Sequence, residues 1–287
     1  MKDLTVSFSG GRTSAYMCWY LINYKSSEYN LHFVFANTGQ EHEKTLEFVD
    51  KCDKYFNLNL TWVEAVVNPL PHKGTTHKIV TYETAARKGE PFEEVIKKYG
   101  IPNPTWQPCN REMKMQPMRS LRVSIGLKDA ATAIGIRADE CDRINPETAD
   151  RNNLVYPLAF WSPTTKEQIR HWWAEQPFDL EIPEHLGNCV TCWKKSNRKL
   201  YTIAKEHPEY FDFFLDMESK YRDAGAGDQQ RVFFRHYRST EDILREAKDF
   251  PDSMIFTDIM PELQLDFFGL DQAGGACGSE SCEIFSD

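Results

Sequence analysis

The sequence predicts an α/β fold, in which a parallel, twisted sheet carries helices on both faces and a mainly helical C-terminal extension follows. Three observations predict it. Runs of β-forming residues alternate with helical segments, and one of these segments has apolar residues at helical spacing. The chain of 287 residues, 41% of them hydrophobic, is also long enough to bury a sizeable core. Strand–helix alternation is typical of parallel sheets with helices packed on their faces.

The first part of the chain carries this alternation most clearly. Glu43 begins a segment in which Leu46, Val49 and Cys52 are apolar and charged residues lie between them, as in an amphipathic helix. The expected elements are, in chain order, a strand at 4–8, a helix at 13–23, a strand at 31–36, a helix at 43–55 and a strand at 60–65.

Residues 66–110 are less regular because several prolines interrupt them, and we expect an insertion that faces the substrate, with a short helix from Pro91 to about Tyr99. A capping-box pattern at Thr164-Thr165-Lys166-Glu167 predicts a later helix that runs to Glu175. The other expected elements are a helix at 113–125, a strand at 129–136 and an extended segment at 154–160.

Charge divides the chain near residue 205, into a first domain at 1–205 and an acidic extension at 206–287. The extension holds 19 of the 43 acidic residues but 7 of the 34 basic ones, so it does not favour wrapping nucleic acid, whereas the first part can meet an anionic ligand. No apolar run is long enough for a membrane span, and the N-terminus does not have the pattern of a signal peptide. We therefore expect a cytoplasmic protein with no membrane partner.

A glycine pair directly after the first predicted strand is the first candidate site. The glycines let backbone N–H groups approach an anion closely, and the N-terminus of the next helix adds partial positive charge. Hydroxyl groups and an arginine add donors, in a segment that reads Ser9-Gly10-Gly11-Arg12-Thr13-Ser14. The spacing is not that of a Walker A loop. The ordinary alternative is a strand–turn–helix connection with two turn glycines.

This loop resembles the PP-loop signature Ser-Gly-Gly-x-Asp-Ser, with Thr13 where many members carry Asp. Three further segments resemble those of phosphoadenosine-phosphosulfate (PAPS) reductases, in the same order and within roughly residues 4–200. They are Asn37-Thr38-Gly39 with Thr45 and Phe48, Gly135-Ile136-Arg137-Ala138-Asp139-Glu140 with Arg143, and Tyr156-Pro157-Leu158 with Trp161. Asn37 and Lys44 replace acids of that family. The sequence is thus identified as a member of the PAPS reductase and PP-loop ATP pyrophosphatase superfamily, whose fold is adenine nucleotide alpha hydrolase-like.

The resemblance implies an adenine nucleotide as ligand and allows for magnesium beside it. The residues that it implies for the nucleotide are the loop Ser9 to Ser14, together with Asn37, Thr38, Gly39, Gly135 and Arg137. Arg137 also closes a predicted strand, where a guanidinium can pair with a phosphate or sulfate and act in catalysis. Its ordinary alternative is an ion pair with Asp139, Glu140 or Asp142.

Cysteines form the second candidate site. The chain has eight, which in a reducing compartment indicate metal or redox chemistry rather than structural disulfides. Cys189 and Cys192 form a CxxC turn, a spacing that binds one metal centre or serves as a redox dithiol. Lys194, Lys195, Arg198 and Lys199 follow it, and they are expected to offset the charge of a metal centre, to hold a polyanion, or to form a solvated basic face.

Cys109 lies in a segment that resembles the cluster-binding segment of adenylylsulfate reductases, with Asn110 in place of their second cysteine. The resemblance implies a 4Fe-4S cluster held by Cys109, Cys189 and Cys192, as in iron–sulfur tRNA thiolation enzymes, where one iron lacks a protein thiolate. Zinc is the alternative metal, Cys141 is the alternative fourth ligand, and a site without metal stays open. Cys277, in a Gly-rich tail with Cys282, is weakly similar to the catalytic cysteine of sulfonucleotide reductases; an incidental tail or a reversible disulfide is the alternative.

Three functions follow from these sites. The favoured one is ATP-dependent adenylation of an acceptor and sulfur transfer to it, with a sulfur donor and with tRNA or another nucleic acid among the acceptors. The alternative is reduction of PAPS or adenylylsulfate, in which Cys277 attacks sulfur and a thioredoxin-like reductant resets the enzyme. The third is a non-catalytic module that binds nucleotide or nucleic acid.

Overall fold

The sheet of this protein has six strands in the order β4-β3-β2-β1-β5-β6. A computed structural model describes residues 1–225 and 230–257. The strands are β1 (Lys2–Phe8), β2 (Tyr29–Ala36), β3 (Thr61–Val66), β4 (Thr76–Val80), β5 (Ala131–Ala133) and β6 (Leu154–Val155).

The central strand β1 has parallel neighbours on both sides. Val6 pairs with Phe33 of β2 and with Ala133 of β5, and all three side chains are buried. Every other pairing is also parallel, except that β4 runs antiparallel to β3. The carboxyl ends of the parallel strands therefore meet at one edge of the sheet, where ligands of open α/β sheets bind.

Ten helices lie within the described residues. They are α1 (Arg12–Lys25), α2 (Glu43–Phe56), α3 (Glu90–Tyr99), α4 (Pro108–Asn110), α5 (Gln116–Ser124), α6 (Pro146–Asn152), α7 (Lys166–Ala174), α8 (Asn197–Glu206), α9 (Asp212–Tyr221) and α10 (Thr240–Asp249). No helix of residues 1–225 and 230–257 is long and apolar enough to cross a membrane.

Helices cover both faces of the sheet, as the sequence predicts. Along β2, Phe33 and Phe35 belong to the main core with residues of α1 and α2. Val34 and Ala36 point to the opposite face and pack with residues of α5. The alternation follows from the two-residue period of a strand, so an almost fully apolar strand indicates burial on both sides.

Four segments differ from the sequence prediction. Strand β4 lies within residues 66–110, where no strand was expected, and β5 is shorter than the predicted 129–136. The helix expected at 113–125 begins at Pro108, since a π-helical turn at Arg111–Met115 joins α4 to α5. The extended segment 154–160 is wrong beyond β6, because Pro157 begins a second π-helical turn, Pro157–Trp161.

The C-terminal helices pack onto the same core as the sheet. Phe92 of α3 contacts Phe213 and Phe214 of α9, and Phe214 lies 4.2 Å from Phe233 between ring centroids. The described part after residue 206 is mainly helical, as predicted, and α8 runs up to the proposed boundary. The division into 1–205 and 206–287 stays a prediction.

Candidate nucleotide cleft and thiol cavity

The loop between β1 and α1 has the backbone shape that its glycines predict. Gly10 has φ +86°, and a Cβ on it would lie 2.8 Å from Cγ2 of Thr45. Gly11 is the N-cap of α1, and no side chain caps that helix end. Because Gly10 has no side chain, α2 can approach the loop, and the first turn of α1 presents backbone N–H groups toward this edge of the sheet.

The loop hydroxyls hold the loop itself. Ser14 Oγ accepts from Ser9 N at 3.1 Å and donates to the Gly11 carbonyl at 3.0 Å. Gly135, just after β5, approaches so closely that an added Cβ would lie 3.3 Å from Ser14 Cα. Gly135 thus allows close packing against the loop, and the loop hydroxyls are used in hydrogen bonds within it.

Arg137 lies beside the loop, as the sequence predicts. It is 3% exposed and its Nη1 donates to Thr13 Oγ1 at 3.2 Å. The ion pairs expected as its ordinary role are also present, with Asp139 at 3.0 Å and Glu140 at 3.3 Å. The two carboxylates and Thr13 hold the guanidinium beside the glycine loop.

Arg12 pairs with an acidic residue from much later in the chain. Its Nε pairs with Asp179 at 2.6 Å, and its Nη2 contacts the same carboxylate at 3.0 Å and also donates to the Leu180 carbonyl. The Arg12 carbonyl accepts from the indole of buried Trp173 at 3.0 Å. Arg12 therefore ties the loop to α7 and the segment after it, with its charge balanced by Asp179.

The segment Asn37-Thr38-Gly39 follows β2 and lies next to the loop. Asn37 is fully buried and donates to Glu64 at 2.6 Å and to the Ala86 carbonyl at 2.9 Å. Gly39 has φ +77°, and an added Cβ would lie 3.0 Å from the Gly89 nitrogen. Asn37 thus anchors this segment through an amide–carboxylate bond, which an aspartate next to Glu64 would not form as well.

A small cleft, with room for about one water molecule, lies over the loop. Its lining combines the glycine loop with α2 and with a turn from much later in the chain: Gly10, Gly11, Arg12, Thr45, Leu180, Ile182, Pro183, Glu184, Gly187 and Asn188. Of the implied nucleotide residues, Gly10, Gly11 and Arg12 line it directly, and Thr13, Ser14, Gly135 and Arg137 lie behind or beside them.

Glu184 lies in this cleft, bound by lysines. Burial alone would raise the pKa of Glu184, but Lys199 and Lys166 outweigh it and lower that pKa to about 2. Both ammonium groups lie 2.9 Å from the carboxylate. Sequence reasoning missed Glu184 and Asn188. The capping box that begins α7 and the CxxC motif flank both residues, but neither motif indicates them.

The three predicted metal ligands line one cavity. Cys109 lies on α4, while Cys189 and Cys192 come from the turn before α8. The remaining lining is mostly apolar, with two lysines: Phe92, Asn110, Met113, Lys114, Trp193, Lys194 and Phe214. Within residues 1–225 and 230–257, no three His, Cys, Asp or Glu side chains are grouped closely enough to hold a metal ion. Three thiols around an apolar cavity with ammonium groups nonetheless have the donor chemistry of an anionic iron–sulfur centre.

The neighbours of Cys189 set its acidity. Burial raises the pKa of the Cys189 thiol well above its usual value, and the carboxylate of Glu41 adds to the rise. Lys114 and the hydrogen bond between Thr38 and Cys189 act in the opposite direction.

Other predicted groups lie elsewhere. Cys141 is exposed, and its sulfur contacts the Arg137 carbonyl at 3.8 Å. Cys277 and Cys282 lie outside the described residues. The basic residues after the CxxC turn do not form a solvated face, because three of them are buried: Lys195, Arg198 and Lys199.

Comparison with known proteins identifies the family. The family model for the phosphoadenosine phosphosulfate reductase domain matches residues 3–174. An uncharacterized nin region protein, ORF290 of Escherichia phage lambda, is 34% identical over 286 residues, which cover 98% of this chain and 94% of the relative.

Two solved structures are more distant. Phosphoadenylyl-sulfate reductase from Candida auris, in a phosphate complex, has 16% identity and a TM-score of 0.38, and the match covers 61% of this chain and 73% of that one. The U34-tRNA thiolase NcsA from Methanococcus maripaludis, with its 4Fe-4S cluster, has 13% identity and a TM-score of 0.38, with 99% and 82% covered.

Proposed function

Since this chain belongs to the phosphoadenosine phosphosulfate reductase domain family, we propose that it is an enzyme that activates an acceptor with ATP and transfers sulfur to it. The observation that carries the proposal is the joint position of two sites. Gly187 and Asn188 line the cleft over the glycine loop, and Cys189, the next residue, lines the thiol cavity. A nucleotide and a sulfur centre would therefore be one residue apart along the chain.

The nucleotide would bind with its phosphates at the start of α1. Backbone N–H groups around Gly10 and Gly11 would stabilise the charge of the departing pyrophosphate, and Arg137 would pair with a phosphate. An acceptor oxygen would attack the α-phosphorus, so that the bond to the bridging oxygen breaks and pyrophosphate leaves. A sulfur nucleophile would then displace AMP from the adenylated carbon, which leaves a carbon–sulfur bond.

Cys109, Cys189 and Cys192 would hold a 4Fe-4S cluster, with zinc as the alternative. Such a cluster, when bound, supplies iron that can carry sulfur. The residues of this chain would exclude water with Phe92, Trp193 and Phe214, and Lys114 and Lys194 would offset negative charge in the cavity.

The cluster is tested by anaerobic purification, followed by an absorption spectrum and assays of iron and sulfide. We expect iron, sulfide and a broad visible absorption in the wild type, and their loss in Cys109→Ser. Cys141→Ser is the matched control, because Cys141 is exposed and lies outside the cavity lining. A colourless, iron-free wild type would refute the cluster, and equal loss in both variants would make Cys141 the fourth ligand.

The reaction is tested by incubation with ATP or with PAPS. Pyrophosphate released from ATP, with no sulfite from PAPS, supports the proposal; sulfite release would overturn it.

The second candidate, a sulfonucleotide reductase, is favoured by the family match itself. In that case Cys277→Ser should abolish sulfite release, whereas Cys282→Ser should not. Binding of nucleotide without either product would leave a non-catalytic module. The acceptor class, tRNA or other nucleic acid included, is left to this assay with added acceptors.

A further inference from the structure

One turn is shared by the nucleotide cleft and the thiol cavity. Its first half, Gly187 and Asn188, faces the cleft, and its second half, with Cys189, faces the cavity. Asn188 has φ +59°, a left-handed conformation that reverses the chain sharply at this point. A nucleotide that displaced Asn188 would therefore act on the residue directly before Cys189.

Residues 38–41 form a second segment that pairs with this turn, and the two segments together are called the clasp. Val190 N donates to the Gln40 carbonyl at 3.0 Å, and Glu41 forms an antiparallel bridge with Cys189. The same segment continues into α2, where Thr45 lines the nucleotide cleft. Each of the two segments of the clasp thus leads to residues that line the nucleotide cleft in one direction and contacts Cys189, or contains it, in the other.

The side chain of Thr38 contacts both segments of the clasp. It is fully buried, and its Oγ1 lies 3.4 Å from Cys189 Sγ. The same hydroxyl donates to Glu41 Oε1 at 2.8 Å, while Thr38 N donates to Oε2 at 3.0 Å. Thr38 is therefore held on one side by Glu41 and touches the sulfur on the other.

The turn is also fixed from behind. Lys195 is 4% exposed, and its Nζ donates to the carbonyls of His185 at 2.8 Å and Gly187 at 2.6 Å. Lys195 thus holds the base of the turn, while Thr38 and the cleft contact its other side. Coupling between the two sites requires that the turn adopt two arrangements, which a nucleotide and the thiols would favour differently.

We propose that Thr38 is a positioning residue that couples nucleotide occupancy of the cleft to the position of Cys189. The inference rests on the proposed function for the presence of a nucleotide, but it needs no cluster and no sulfur transfer. Coupling between two sites is reciprocal, so a ligand bound by the thiols would change nucleotide affinity by the same factor. Thr38 would thereby make the position of Cys189 respond to ATP.

The test uses the full chain, reduced and freed of metal. Alkylation of Cys189 and of Cys109 by iodoacetamide is followed separately by peptide mass spectrometry, without and with ATP at a concentration that saturates each variant in equilibrium dialysis. Cys109 is the internal control, because it lines the same cavity but comes from α4 and not from the clasp. The readout is the ratio of the Cys189 rate to the Cys109 rate, which cancels simple blocking of the cavity.

We expect ATP to change this ratio at least about fivefold in the wild type, the lower range of measured couplings. Thr38→Ser, which keeps the hydroxyl, should retain the change, and Thr38→Val should lose it. Thr38→Ala removes the same hydroxyl if the valine variant does not fold, as judged by circular dichroism.

The outcomes separate the two proposals. ATP binding with an unchanged ratio in the wild type, or an equal change in Thr38→Val, would overturn the coupling alone. Failure of the wild type to bind ATP would overturn both the coupling and the proposed function. A normal ratio change in a protein that never carries iron would support the coupling and refute the cluster.

Discussion

Replacing the buried carboxylate of Glu184 should destabilise the protein in a pH-dependent way. Lys166 and Lys199 each lie 2.9 Å from this carboxylate, and Arg170 lies 3.5 Å away. The side chain is 10% exposed, so solvent screens these pairs little. In Glu184→Gln the lysines would keep their charges without a counterion, which is the costly way to break a buried pair.

The magnitude follows from the pKa. The folded-state pKa of Glu184 is about 2, against an ordinary value of 4.5. At about 1.4 kcal/mol per pKa unit, the ionised Glu184 contributes about 3 kcal/mol to the free energy of unfolding. Because the folded pKa is the lower one, the contribution is complete above the unfolded value and is lost as the pH falls from about 4.5 toward 2.

Urea unfolding of both proteins at pH 7 and at pH 3 measures this. We expect Glu184→Gln to lose about 3 kcal/mol at pH 7 and less than half of that at pH 3. The exposed Glu167, changed to Gln, is the matched control and should alter stability by less than about 0.5 kcal/mol. Equal stability at pH 7, or the same loss at both pH values, would refute the reasoning.

Three further predictions concern the loop and its supports. Gly10→Ala should unfold the loop or cost more than about 2 kcal/mol in thermal unfolding, while Gly126→Ala, with a similar φ of +79° but nothing within 4 Å of the added Cβ, should cost only about 1 kcal/mol. Trp173→Phe removes the donor to the Arg12 carbonyl and should cost about 1–3 kcal/mol in urea unfolding; no loss would show that this bond is not stabilising. Arg137→Gln should weaken ATP binding at least about tenfold in calorimetry, and unchanged affinity would remove Arg137 from the site.

The glycine loop and Arg137 could be predicted because their signals are local. A strand, two glycines and a helix specify the loop, and Arg137 follows a strand that pairs with β1. The approach of Cys109 to the CxxC turn came from the family resemblance, since no local pattern joins residues so far apart. The cavity that they share agrees with it.

Other features depend on contacts that no local pattern contains. Strand β4 is an exposed edge strand whose Ile79 is 64% exposed, so it lacks the apolar alternation that marks a half-buried strand. The pairing of Arg12 with Asp179 joins residues far apart in the chain and balances a charge that the loop alone leaves open. Asn188 acts through its left-handed backbone, and asparagine in a loop does not by itself predict that conformation.

The shared turn also has a consequence for biogenesis. Gly10, which lines the cleft, lies early in the chain, whereas Gly187 and Asn188, which also line it, lie much later. Contacts between residues so far apart in the chain are entropically costly to close, so we expect this side of the cleft to form after the local strand pairs. A chain shortened before that turn would lack Gly187 and Asn188, and the cleft over the glycine loop would be open on that side.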